Sequence, residues 1–313
     1  MTKILVSGSI AYDYLMSFDG DFNSVLGEQD LSALSVSFLV NQKERFFGGC
    51  GANIAYNLSL LHVPSVLVGA VGESDFTDYE TRLNELGVET KYLQKDTANE
   101  TSSAYILSDL GARQIAMFNP GASANTNLAM NLDSIIENEE VELMIIGPEN
   151  PQRMLKMVDE AVKHQIPFLF DPGQLTHVFD AETLLRVATQ AHTLIANEFE
   201  FQIIQEKTNL SLQQLAEKIE TIICTMGENG CVAYLKGEKI VEKAVKPENF
   251  VDATGCGDAF RAGYIKAILG GKPFVECLQF GNLMGSLASQ EKGTQKHNFT
   301  LEHIENYYNK LFK

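Results

Sequence analysis

The feature that most constrains this chain is a rhythm: short, almost continuous apolar runs alternate with longer segments whose apolar residues recur at helical spacing. The runs Ile4–Ser9, Ser65–Ala70, Glu142–Gly147, Pro167–Asp171, Thr193–Asn197 and Thr221–Met226 read as strands. Ala52–Leu61, Asp75–Leu86, Pro151–Gln165, Ala181–Gln190, Phe199–Glu206, Leu212–Ile219 and Asp258–Leu269 read as helices. A strand that is apolar at nearly every position has no face to give to water. It belongs inside a sheet covered on both sides, and strands separated by helices pair in parallel. The pattern therefore predicts an α/β fold around a mostly parallel sheet. With 313 residues, 45% of them hydrophobic, the chain has the apolar material for a sizeable core.

Two regions break the rhythm. Leu34–Phe47 places apolar side chains at 34, 36, 38 and 40 with Ser35 and Ser37 between them, the period of a half-exposed strand. Thr101–Phe118 reads as two strands around the turn SDLGAR. Together with Tyr14–Phe22 they predict a small β-sheet, a lid over the edge where open α/β sheets bind ligands. An ordinary antiparallel extension of the main sheet is the alternative.

Composition removes some function classes. A formal net charge of -17 disfavours a nucleic-acid binder, which needs Lys and Arg against phosphates. It leaves room for small anions held by backbone N–H groups. No apolar run reaches the about 18 residues of a membrane span, and MTKILVSGSI is built as a strand rather than a signal peptide. Five scattered cysteines form neither a disulfide framework nor a metal spacing, and fit a reducing cytoplasm.

The chemistry concentrates in VDATGCGDAFRAGYIKAIL, residues 251 to 269. A helix start exposes free N–H groups and carries partial positive charge, and glycines let an anion come close. A carboxylate on that first turn, Asp258, repels a resting phosphate but suits a base that takes a proton from an attacking alcohol. Anion hole and base on one turn are the minimum for phosphoryl transfer to a hydroxyl. Taken alone, the same residues also read as a favourable acidic helix start after a tight turn. FGGCGANIAYNLSLL, residues 47 to 61, is a second Gly-rich entry into a helix, without a P-loop or GxGxxG pattern. Gly48 and Gly49 bare the backbone there, and Asn53 offers an amide suited to hydroxyls. Asp13, after the first strand, is an acceptor for two hydroxyls or a turn residue.

These stretches resemble the ribokinase-like (PfkB) family of carbohydrate and nucleoside kinases over essentially the whole chain. VDATGCGDAF is similar to the C-terminal signature of that family and FGGCGANIAYNLSLL to the N-terminal one. NEFE, from Asn197 to Glu200, and TMGENG, from Thr225 to Gly230, follow in the family's order. SIAYDY, SVSFLV, FNPGA, FDPGQ and DATGCGDAFRAG resemble bacterial members described as adenosine kinases. The resemblance implies one ribokinase-like domain over residues 1–313. That domain is a three-layer sandwich with a mostly parallel central sheet covered by helices on both faces, and its lid is formed by about 14–45 and 91–119. It also implies roles. Asp258 is the general base, and Gly255, Cys256 and Gly257 form the backbone anion hole. Asp13, Gly48, Gly49 and Asn53 hold ribose hydroxyls. Thr225, Gly227 and Gly230 meet the ATP phosphates, and Asn282 lies near the nucleotide base. Asn197 and Glu200 organise Mg2+ through water, since that ion dehydrates reluctantly. A K+ ion is implied beside Asp252 and Thr254.

The chain departs from many sugar kinases of the family at Ala253, where they have Thr, and at Cys256, where they have Ala. Backbone groups do the implied work, so Cys256 is tolerated. At a helix start its thiol is expected to have a lowered pKa, and its alkylation to block turnover. Phe118 and Phe38 are candidates to stack on a planar base, with Tyr105 and Phe47 behind them. No basic cluster marks a phosphorylated substrate, and Arg113 is a lid arginine beside a turn. The expected activity is ATP-dependent phosphorylation of a ribonucleoside 5'-hydroxyl, adenosine first. A kinase of free ribose or of inosine, guanosine or cytidine is the alternative, and a catalytically silent nucleoside binder the second. A lid with an exposed edge leaves a monomer or a homodimer through the lid.

Overall fold

The computed structural model describes residues 2–27, 36–111, 113–128 and 130–313. Six apolar runs become β1 (Lys3–Ser7), β4 (Ser65–Val68), β9 (Val141–Ile146), β10 (Phe168–Phe170), β11 (Thr193–Asn197) and β12 (Thr221–Thr225). All pair in parallel, and an antiparallel edge of β13 (Cys231–Leu235) and β14 (Glu238–Glu242) completes the order β14-β13-β12-β11-β10-β9-β1-β4.

The continuous hydrophobicity of these strands is two alternating patterns laid over each other. Ile4 and Val6 of β1 enter one core and Leu5 the other. Leu143 and Ile145 part from Met144 and Ile146 in the same way. One face is covered by α2 (Cys50–Leu60), α3 (Thr77–Glu85), α9 (Cys256–Leu269), α10 (Phe274–Ala288) and α11 (Leu301–Phe312). The other carries α4 (Leu132–Asn138), α5 (Pro151–Lys163), α6 (Ala181–Gln190), α7 (Glu198–Thr208) and α8 (Leu212–Ala216). The result is the three-layer sandwich that the resemblance implies. α5 starts where Pro151 needs no N–H partner and Asn150 caps the next two amides. α9 lies close against α10 because Gly263 has no Cβ to meet the Phe280 carbonyl and the Met284 side chain.

A second sheet, in the order β3-β2-β7-β8, joins β2 (Ala11–Ser17), β3 (Gln42–Gly48), β7 (Ser102–Ser108) and β8 (Gln114–Asn119). The strand expected over Leu34–Phe47 is displaced. Residues 34 and 35 of that stretch lie outside the described residues, 36–41 carry no strand, and the ladder begins at Gln42. Phe38 leaves the ladder because it packs edge-on against Phe18 and Phe22. Phe22 itself opens the short helix α1 (Phe22–Leu26), where a strand end was expected. Within 91–101, β6 (Gln94–Asp96) pairs with β5 (Ala70–Gly72) instead of joining the second sheet.

Candidate active site

The sequence candidates gather at the C-terminal edge of the parallel sheet, where α/β folds present crevices. Asn197 ends β11 and Thr225 ends β12, and the two are register partners. Asn197 accepts from the Glu200 backbone at 2.9 Å while Glu200 Oε2 accepts from the Asn197 N–H at 2.8 Å, a reciprocal cap on α7. The carboxylate keeps its second oxygen without a hydrogen bond among the described residues. Burial and the neighbouring Asp171 push Glu200 above its usual range. A hard oxygen in an acid-rich corner fits a water-bridged Mg2+ ion.

α9 starts at Gly255, whose left-handed φ of 80° suits glycine, and no side chain caps it. On its first turn the Cys256 N–H bonds back to the Ala253 carbonyl at 3.2 Å, and no partner among the described residues takes the Gly257 N–H. A cleft of about 220 Å³ opens onto this turn, bounded by Thr225, Gly227, Gly230, Cys256, Gly257 and Asn282 with Val245, Pro247 and Phe250 as an apolar wall. Of the residues expected at ATP, Thr225, Gly227, Gly230 and Asn282 line this space and Asn197 does not. Asn282 Nδ2 donates to the Lys243 carbonyl at 3.1 Å. Cys256 departs from expectation: burial, with the Asp252 and Asp258 charges, pushes its thiol up to about 11.

Asp258 is buried on the first turn. Burial raises its pKa to about 7; Arg261 and the Asn53 hydrogen bond oppose the rise, and Asp171 and Asp13 add to it. Asn53 Nδ2 donates to Asp258 Oδ2 at 2.9 Å, while Asn53 Oδ1 accepts from Gln295 Nε2 at 2.9 Å. The Asn53 amide is therefore committed at both ends. Arg261, one turn on, is buried and donates from Nε to Asp171 Oδ2 at 2.5 Å and from Nη1 to the Gly257 carbonyl at 2.8 Å. The ion pair pins α9 to the end of β10. Sequence reasoning passed over Arg261, Asp171 and Gln295. A lone arginine in an apolar helix was a usable signal, since a buried charge requires a partner.

Asp13 takes no hydrogen bond from the described residues, and burial with the Asp252 charge raises it to about 6. Gly48 lies directly beneath its carboxyl group, where a Cβ has no room. Asp13 pairs with Phe46 and Ala104, and Ala104 with Phe118, so the four side chains share one face of the second sheet. Phe118 is exposed on that face, Tyr105 and Phe47 belong to the opposite one, and Phe38 is spent on Phe18 and Phe22. Arg113 is held by Asp21 and Asp109 at the far end of the sheet.

Asp252 accepts from the Thr254 N–H and hydroxyl on one oxygen and from the Gly293 N–H on the other. Those bonds hold its carboxyl below the usual range, against the effect of burial, and leave an anionic turn whose oxygen donors suit an alkali cation. All five cysteines are free, and no helix of the described residues is long and apolar enough to cross a membrane.

Known proteins are similar to this chain over nearly its whole length. The chain is 30% identical to the ribokinase of Bacillus subtilis, over 94% of this chain and 95% of that one. It superimposes with a TM-score of 0.86 on the nucleoside kinase of Burkholderia thailandensis in complex with inosine, at 33% identity and over 99% and 98% of the two chains. The nucleoside kinase of Methanocaldococcus jannaschii gives the same TM-score at 27% identity, over 99% of each chain. The profile of the pfkB family carbohydrate kinases matches residues 2–300. The chain therefore belongs to the PfkB family, and is a ribokinase-like kinase that transfers phosphate to a hydroxyl acceptor.

Proposed function

We propose that this enzyme uses ATP to phosphorylate the 5'-hydroxyl of a ribonucleoside, with adenosine the first candidate. One observation carries the nucleoside reading: Asp13 and Phe118 share a face of the small sheet. They stand two strand spacings apart, roughly 10 Å. An unbonded carboxylate for ribose hydroxyls and an exposed ring for a planar base match the two ends of a nucleoside. A free sugar has no use for the ring.

In this reading the small sheet, with its flanking segments, is the lid, and it excludes water when the nucleoside binds. Gly48 and Gly49 let the ribose lie against backbone, with Asn53 behind them. Asp258 accepts the proton of the 5'-hydroxyl as that oxygen bonds to the γ-phosphorus and ADP departs. The Gly255–Gly257 backbone at the uncapped helix start takes up charge on the phosphoryl oxygens. Thr225, Gly227 and Gly230 face the ATP phosphates, and Asn282 with the apolar wall takes the adenine. Glu200 and Asn197 would hold Mg2+ through water, and that ion would offset phosphate charge. Asp252 and Thr254 would hold K+ beside the anion hole. The free cysteines suit a reducing cytoplasm.

Inosine is the second reading. It has a specific support, the inosine and ADP-inosine complexes of the Burkholderia thailandensis kinase. The test is kcat/KM across adenosine, inosine, guanosine, cytidine and ribose, with ADP release as the readout. Adenosine at the head supports the first reading and inosine the second. Preference for ribose over every nucleoside overturns both, and tight nucleoside binding without ADP release marks a silent binder.

A further inference from the structure

Behind Asp258 runs a chain of hydrogen bonds whose direction is set at its far end. The Gly48 carbonyl can only accept, and Tyr79 donates its hydroxyl to it at 2.9 Å. Having spent its proton, the Tyr79 oxygen can only accept, and Gln295 Nε2 donates to it at 2.6 Å. The same NH2 group donates to Asn53 Oδ1, so Asn53 must turn its own NH2 to Asp258. Tyr79, Gln295 and Asn53 are buried, which strengthens each bond and bars water from replacing it.

We propose that Gln295 is a positioning residue for the catalytic base: it locks the Asn53 amide donor-side toward Asp258 Oδ2. Asp258 Oδ1, unbonded among the described residues, is then left to the acceptor hydroxyl. The proposal rests on the reading of Asp258 as the base. Asp13 from β2, Asp171 from the end of β10, Arg261 and Cys256 from α9, and Cys50 from α2 also face Asp258. Arg261 is the one cation among them, and its guanidinium is committed to Asp171 and the Gly257 carbonyl. Asn53 therefore supplies the direct hydrogen bond. Reversed, its carbonyl would oppose the carboxylate oxygen.

Gln295→Glu replaces the donor with an acceptor. The Asn53 NH2 must then turn to the new carboxylate and its carbonyl to Asp258. Tyr79→Phe keeps the ring packed but removes the group that orients Gln295. The assay is kcat/KM for the nucleoside against pH, with KM for ATP alongside. The acid limb should move to higher pH by roughly one unit in Gln295→Glu and less in Tyr79→Phe, with KM for ATP unchanged. Turnover near neutral pH should fall about tenfold in Gln295→Glu. Folded variants whose limb superimposes on that of the wild type overturn the proposal, even if the rate drops uniformly. Should Gln295→Glu fail to fold, Tyr79→Phe decides by the same two outcomes. Asp258→Asn runs in parallel. If it keeps its rate, the base reading falls and takes the relay with it. If it loses its rate while the limb stays put in the other variants, the relay alone falls.

Discussion

The molecule contains two glycine-rich helix starts that look alike and do different work. α2 begins after Gly49 at φ 89° and α9 after Gly255 at φ 80°, and neither has a side-chain cap from its N-cap residue. At α2 the turn after β1 closes over the exposed amides. Ser9 Oγ accepts from Cys50 N, and the Ser9 carbonyl accepts from Gly51 and Ala52. Gly51 packs onto Gly8, where an added Cβ would come within 2.8 Å of backbone. At α9 Cys256 and Gly257 border a cleft, the Cys256 N–H bonds back to the Ala253 carbonyl at 3.2 Å, and the nearest obstacle to a Cβ on Gly257 is the Arg261 guanidinium at 2.9 Å rather than backbone. Glycine in a helix start thus serves close packing in one place and anion approach in the other.

The strongest test of that contrast is Asp258→Asn, which removes the feature α2 lacks. It should fold and lose about 10²–10⁴ of kcat, the range of a general base, in a coupled ADP-release assay. A variant with most of its turnover would remove Asp258 from the role. The pH profile comes next. A base held at about 7 predicts that kcat/KM falls about tenfold per unit below neutrality and levels off above it. The same shift has a stability sign. The folded pKa lies above the unfolded 3.8, so the contribution of Asp258 to stability is full below 3.8 and lost as pH rises through about 7. Asp258→Asn should therefore gain in Tm over the wild type as pH rises from about 4 to about 7, and a gap that shrinks would contradict it.

Gly51→Ala sharpens the comparison from the other side. Overpacking against the Gly8 backbone should cost about 1–3 kcal/mol, read as a lower Tm. Gly257→Ala, which meets the Arg261 guanidinium and no backbone, should lose less stability and more turnover. Equal Tm losses for the two would mean that both starts are packing devices. The smallest effect concerns Cys256. Its iodoacetamide labelling should be slow at neutral pH and accelerate about tenfold per unit until about 11. The adduct, once formed in the cleft, should stop turnover.

Much of the fold was legible because its signals are local. Apolar runs, the Pro151 start and the NEFE cap each act within one turn or strand, and each appears where periodicity puts it. The misses have physical causes. Lys236 and Gly237, both at positive φ, form a two-residue hairpin turn between β13 and β14, a signal that a Gly in a polar run under-reports. Phe38 alternates like a strand residue, but aromatic contacts with Phe18 and Phe22 take it out of the ladder. The lowered pKa expected of Cys256 considered the helix start and had no access to its burial.

Local chemistry alone dictated the α/β order, the bare helix starts and the presence of one acid on the first turn of α9, because periodicity, glycine and charge act over a few residues. Tertiary structure decided which start stays open, that Asp13 and Phe118 look the same way, and that Gln295 reaches Asn53 across 242 positions of chain. Such pairings form only when the sheet closes and brings distant polar groups into one buried space, where an unpaired group costs free energy.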